Sequence, residues 1–153
     1  MEKEIQSVTR RVYIGSSKAA YSLKTLKQYG ITHIVNTTCE IDNAFPDDFS
    51  YLKLNLEDGN DHLISVLDIA YRYIISALKH PDSKIFVHCH MGISRSSSVV
   101  IYYIMKYFKL PYHRAYELVK KKRSKIQPNV YYEEQLRWLS KRMPISFDSE
   151  PTR

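Results

Sequence analysis

The chain has 153 residues, 44% of them hydrophobic and 25% charged, and a formal net charge of +7. That length suits one domain with a core that needs no staples, and the composition is that of an ordinary globular protein, not a disordered or fibrous one. Two cysteines in such a chain exclude a disulfide framework and fit a reducing compartment, while the positive charge favours phosphorylated or otherwise acidic substrates.

Taken in chain order, Val12-Tyr13-Ile14-Gly15 reads as an opening strand. Ser17 to Tyr29 is predicted to be one helix, with Leu23 and Leu26 on one face and Gly30 as its stop. Ile31 to Asn36 is rich in β-branched residues and is expected to be a buried strand; Tyr51 to Leu56 alternates as a second. Between Asp61 and Lys79, the residues Leu63, Val66, Leu67, Ala70, Ile74 and Ala77 form one helical stripe. Strand Lys84–His88, helix Arg95–Phe108 and two further helices near Pro111–Arg123 and Tyr131–Arg142 complete the chain.

Strands alternating with helices imply an α/β domain: one central, mostly parallel, twisted sheet flanked by helices. The expected division is an N-terminal extension over 1–7, a catalytic domain over 8–142 and a tail over 143–153. The first residues are charged and lack an apolar signal core. No run approaches membrane-spanning length, and the last five residues carry no prenylation box. A soluble cytoplasmic protein is therefore expected, with the basic run Lys120–Lys125 leaving the nucleus open as a second location. The simplest account of that run is a set of solvated cations at a helix C-terminus. Thirteen tyrosines are spread over core faces and form no stacking platform, so no nucleic-acid partner is expected.

The chemistry concentrates between strand 84–88 and helix 95–108. There Cys89 is followed, after five intervening residues, by Arg95 and Ser96, with Gly92 inside the loop. Loop amides and the first N–H groups of a helix make an anion cradle, and the helix dipole favours negative charge there. A cysteine at the bottom of that cradle would have its thiolate stabilised by the same field. An arginine at its top would grip two phosphate oxygens through one planar fork. In open α/β sheets ligands bind beyond the carboxyl ends of strands, which is where Cys89 lies.

His88-Cys89, five residues, then Arg95-Ser96 resembles the signature of the protein tyrosine phosphatase superfamily. Val12–Gly15, Gly30–Asn36, Tyr51–Asp58, Arg123, Pro128-Asn129 and Gln135-Leu136 narrow the resemblance to the dual-specificity phosphatases, in a compact form without a rhodanese-like domain. It covers about residues 8–142. It implies hydrolysis of phosphotyrosine, and of phosphoserine or phosphothreonine, on protein substrates through a cysteinyl-phosphate intermediate, with no metal or cofactor.

By that resemblance Cys89 is the nucleophile and Arg95 the phosphate clamp, with His90, Met91, Gly92, Ile93 and Ser94 lining the cradle. Ser96 assists the departing sulfur, and His88 orients the loop without acting as a base. The general acid is expected at Asp58, just past a strand end and beside Gly59. Asp61 is its rival, with helix capping as its simpler role. Cys39 follows the strand 31–36 and is a candidate redox partner for Cys89, although an ordinary thiol is the simpler reading. Asn43–Asp48 and Gln127–Tyr132 are expected at the rim of the cleft. Removal of phosphate from an inositide or an RNA 5′ end is the alternative activity, against which stands the absence of lysine from the loop. A non-catalytic phosphoprotein-binding module is a third reading, against which stand Cys89, Arg95 and Asp58 together.

Overall fold

The computed structural model describes residues 3–59 and 62–146. The elements run β1 (Ile5–Ser7), β2 (Val12–Gly15), α1 (Ser17–Ala20), α2 (Leu23–Gln28), β3 (His33–Thr38), β4 (Ser50–Leu56) and α3 (Ile64–Leu78). Then follow β5 (Ile85–His88), α4 (Arg95–Phe108), α5 (Tyr112–Lys122) and α6 (Val130–Ser140). The five strands form one sheet in the order β1-β2-β5-β3-β4. Among the described residues only β1 runs antiparallel to its neighbour; β2, β5, β3 and β4 are parallel.

The two-residue period of the strands decides what each face of the sheet carries. Val12, Ile14, Val35, Ile85 and Val87 point to one face, where they pack with α3, α4, α5 and α6. Tyr13, Ile34 and Phe86 point to the other, where Ala19, Ala20 and Leu26 of the two short helices cover them. Residues buried on both faces explain why these strands read as continuous apolar runs. Each large aliphatic side chain so buried contributes about 1.5–3 kcal/mol relative to exposure. The predicted stripe on α3 is confirmed, with Leu67, Ala70, Ile74 and Ala77 all inward. Helix α4 is buried on every side from Arg95 to Met105, because it lies between the sheet and the outer helices.

Three expectations need correction. The single helix expected over 17–29 is broken at Tyr21-Ser22. Ser22 sits outside helical space as an N-cap, and its hydroxyl accepts the Thr25 N–H at 3.2 Å, starting a second helix. The strand expected at 31–36 is displaced to 33–38, because the Ile31 N–H is taken by Leu26 O at the end of α2. The helix expected from Asp61 begins at Ile64, with Leu63 in the cap position; Asp61 itself lies outside the described residues. Residues 5–7, within the expected extension, pair with β2 as an edge strand. Gly15 is required there: a Cβ at that position would stand 2.0 Å from Glu4 O. Among the described residues, no helix is long and apolar enough to cross a membrane.

Candidate active site

Strand β5 is flanked by β2 and β3 at the centre of the sheet, and its carboxyl end delivers Cys89 into the turn before α4. The shape of that turn follows from where its carbonyls are fastened. Cys89 O faces His88 Nδ1 at 3.2 Å. His90 O accepts the N–H and the hydroxyl of Ser17, each at 3.0 Å. Met91 O and Gly92 O accept from Arg123, through Nη2 at 3.0 Å and Nε at 2.9 Å. Ile93 O takes the Gln127 N–H at 2.8 Å and the Ser97 hydroxyl at 2.6 Å. Ser94 O takes the N–H and hydroxyl of Ser98 at 3.0 and 2.8 Å.

No described peptide bond is cis. In a trans peptide, a carbonyl and the following N–H point in opposite directions. Six consecutive carbonyls tied to their surroundings therefore turn the N–H groups of residues 90–95 away from those ties. One of them, the Gly92 N–H, lands 3.2 Å from Cys89 Sγ. This needs glycine, because Gly92 has φ +68° and a Cβ there would meet Arg123 Nη2 at 2.6 Å and the Gly15 backbone at 2.8 Å.

Cys89 is buried, and the Ser96 hydroxyl lies 3.2 Å from its sulfur. Ser96, Ser97 and Ser98 are all buried; the last two turn their hydroxyls back onto loop carbonyls, which leaves Ser96 for the thiol. His88 is buried too, stacked against Phe86 with ring centroids 5.6 Å apart. Cys89 O can only accept, so Nδ1 carries the His88 proton.

Burial pushes the His88 imidazole down from 6.5 to about 4. Folded, the ring stays neutral until about pH 4; unfolded, it takes a proton near 6.5. Stability is thus full above 6.5, drains as the pH falls from 6.5 to 4, and levels off below. The loss is about 3 kcal/mol. His88→Asn retains a donor but cannot take up the proton. Denaturant titrations at pH 7 and 4.5 should show a steep loss for the parent and a clearly smaller one for His88→Asn; equal slopes would refute the assignment.

Arg95 is buried and held from one side. Its Nη1 donates to Leu56 O at 2.9 Å and to Glu40 Oε1 at 2.7 Å, and Nη2 donates to Glu40 Oε2 at 2.7 Å. A guanidinium has five N–H groups. Those contacts use both on Nη1 and one on Nη2. The Nε–H and the second Nη2–H remain, and they lie on one edge, spaced for two phosphate oxygens. Burial works against the charge of Arg95, but the Glu40 contact outweighs it and holds the guanidinium above its ordinary pKa. Cys89 and Asp58 add to that effect. The same contact holds the Glu40 carboxyl at about 2.

Glu40 is a functional residue that the sequence reading missed. The Asn36 side chain presents it: its amide donates to Ile41 O at 2.7 Å and its oxygen accepts the Thr38 N–H at 3.0 Å. Lys53 adds bonds to Thr38 O and Ile41 O at 2.8 and 2.7 Å. The available signal was position, since Glu40 lies just past β3, at the same sheet edge as Cys89. Cys39 does lie at that edge; both cysteines are free thiols, and the exposed Cys39 sulfur is 3.6 Å from Glu40 Oε1.

Arg123 is the second residue missed, and it corrects the reading of the run 120–125 as wholly solvated. It is 0% exposed and, besides the two loop carbonyls, binds Lys3 O at 2.9 Å and Gln6 Oε1 at 2.6 Å, with Glu4 at 3.8 Å. Lys120 also folds back, onto Ile126 O at 2.9 Å. Within the run, Lys121, Lys122 and Ser124 are the exposed residues.

Asp58 is exposed just past β4, its Oδ1 2.9 Å from Asn129 Nδ2. The expected rim segment 127–132 is stitched to the phosphate loop: besides Gln127, the Asn129 N–H donates to Ser94 Oγ at 3.0 Å.

The chain is similar to known proteins in sequence and in fold. The family model "Dual specificity phosphatase, catalytic domain" matches residues 12–142. The chain is 44% identical over 130 residues to the Drosophila melanogaster "Protein phosphatase Slingshot", covering 84% of this chain but 12% of that protein. It is 34% identical over 140 residues to the Arabidopsis thaliana "Dual specificity protein phosphatase 1", covering 91% of this chain and 70% of that one. The solved structure of the human "tyrosine phosphatase-like serine/threonine/tyrosine-interacting protein" superposes with a TM-score of 0.84 at 31% identity, covering 90% of this chain and 96% of its own. With the fold, the loop and the matched span in agreement, the chain belongs to the dual specificity phosphatase family, with a catalytic domain of the cysteine-dependent type.

Proposed function

We propose that the protein hydrolyses phosphotyrosine and phosphoserine or phosphothreonine on protein substrates through a cysteinyl-phosphate intermediate. One observation carries this: the Cys89 sulfur receives the Gly92 N–H of a loop whose carbonyls are fastened elsewhere, while Glu40 and Leu56 O hold the Arg95 guanidinium from one side and leave its Nε and Nη2 edge for phosphate. In the first step the thiolate attacks phosphorus, the S–P bond forms and the P–O bond to the side chain breaks. The leaving oxygen takes the proton of Asp58. In the second, water attacks the phosphocysteine and gives its proton to the Asp58 carboxylate. The S–P bond breaks, and Ser96 donates a hydrogen bond to the departing sulfur.

Arg95 spans two equatorial oxygens in both steps, and the loop amides take up the charge that develops. The phosphorylated protein as substrate is supported by the family and by a loop in which His90, Met91, Ile93 and Ser94 include no lysine. Inositide and RNA 5′-phosphates are the activities to test against it.

A substrate panel decides the question. With excess chelator present, the protein should hydrolyse an aryl phosphate, a phosphotyrosyl peptide and a phosphothreonyl peptide, and vanadate should inhibit it. Thiolate and guanidinium supply the nucleophile and the charge that a metal would otherwise bring. Activity lost with chelator and restored by a divalent ion would overturn the mechanism. A phosphoinositide or RNA 5′-triphosphate turned over faster than either peptide would overturn the substrate class.

A further inference from the structure

We propose that Asn129 is the positioning residue of Asp58, holding the acid on one oxygen so that the other faces the leaving group. The inference rests on the reading of Asp58 as general acid. The Asn129 side chain has one acceptor oxygen and two donor hydrogens, and each has a described partner. Its Oδ1 accepts the Tyr132 N–H at 2.9 Å, capping α6. Its Nδ2 donates to Asp58 Oδ1 and to Gly59 O, both at 2.9 Å. The cap fixes the orientation of the amide: the oxygen must face Tyr132, so the nitrogen must face the acid loop.

The backbone N–H of Asn129 donates to Ser94 Oγ at 3.0 Å, and Ser94 belongs to the phosphate loop. One residue thus ties the loop carrying the acid to the loop carrying the nucleophile. Its neighbour on α6 reinforces the tie, since the Tyr132 hydroxyl donates to Glu57 O. Residues 57, 58 and 59 are therefore all held from the same segment.

They need that hold. Glu57 and Asp58 are exposed, and a Cβ on Gly59 would meet nothing within 4 Å. Among the described residues, Asn129 is the hydrogen-bond partner of the Asp58 side chain. With Oδ1 engaged by the amide, Oδ2 is the oxygen left to carry the transferable proton.

Capping alone does not explain asparagine, because serine or aspartate caps a helix equally well. Only an amide can both cap and donate twice. That difference supplies the test. Asn129→Ser keeps a cap oxygen and loses both amide donors; Asn129→Asp keeps the cap and sets a second carboxylate against Asp58, whose charge is also felt by Arg95. Each variant is compared with the parent and with Asp58→Asn, reading kcat/KM on a phosphoseryl peptide and on a nitrophenyl phosphate. This ratio ends at transfer to Cys89, the step in which the acid acts.

Asn129→Ser should lose ten- to a hundred-fold on the peptide, on the order of what a misplaced catalytic group costs, and only about two-fold on the activated aryl ester. Asn129→Asp should lose more on the peptide, while thermal unfolding of both stays near that of the parent. Equal losses on the two substrates, or none, would overturn the role of Asn129 while Asp58→Asn still shows the selective loss. Absence of selectivity in Asp58→Asn itself would overturn the acid assignment and the role of Asn129 with it.

Discussion

Cys89→Ser is expected to abolish turnover while phosphopeptide binding survives. The cradle does not depend on sulfur. Its carbonyls are fastened by Ser17, Arg123, Gln127 and Ser98, whereas the Cys89 sulfur is hydrogen-bonded to Ser96 and the Gly92 N–H, and the Arg95 edge is set by Glu40 and Leu56 O. A serine hydroxyl in the same position is too weakly acidic to ionise and attack, so the rate should fall by about 10⁴ or more. Titration of a phosphotyrosyl peptide by calorimetry should still show one site.

Arg95→Ala should differ in kind: the bidentate clamp acts on ground and transition states alike, so binding and rate both fall, the rate by roughly 10²–10³. It also leaves the Glu40 carboxylate without its cation beside an anion site. Removing that charge as well, in Arg95→Ala with Glu40→Gln, should recover part of the binding and little of the rate. Turnover retained by a Cys89→Ser sample of verified mass would remove Cys89 from the mechanism.

The parts of the site legible in the sequence are those that local chemistry specifies. The loop from β5 into α4 is announced by a β-rich run, a glycine and an apolar helix, and α4 spans 95–108 as expected. Glu40 and Arg123 were not legible because each acts across a long gap in sequence. Arg123 sits within a run of cations, and runs of cations are ordinarily solvated. A better signal lay in its spacing: Ala115, Val119 and Arg123 recur every four residues, and all three are buried. A charge on that stripe had to find partners inside, and it found the phosphate loop and the N-terminal strand. The break between α1 and α2 was hidden by apolar periodicity, which continues through Ser22 although its hydroxyl competes for the Thr25 N–H. Edge strand β1 has three residues, too short for an alternation to stand out.

Asp58→Asn is expected to separate substrates by their leaving groups. Loss of a general acid costs about 10²–10⁴ in rate when the departing oxygen needs its proton. A seryl or threonyl alkoxide needs it most, a tyrosyl phenoxide less, and a nitrophenoxide least. The loss in kcat/KM should therefore rank phosphoserine above phosphotyrosine above nitrophenyl phosphate, and a plot of log rate against leaving-group acidity should steepen.

The geometry makes Asp58 the carboxylate to test first: it is exposed at the end of β4, its charge is felt by Arg95, and Asn129 holds one of its oxygens at 2.9 Å. Asp61→Asn is the control: it removes the rival carboxylate at nearly constant size and should leave that plot unchanged. If Asp61→Asn steepens the leaving-group plot and Asp58→Asn does not, the two carboxylates exchange roles. In that case the hydrogen bond from Asn129 to Asp58 would serve only to hold the loop.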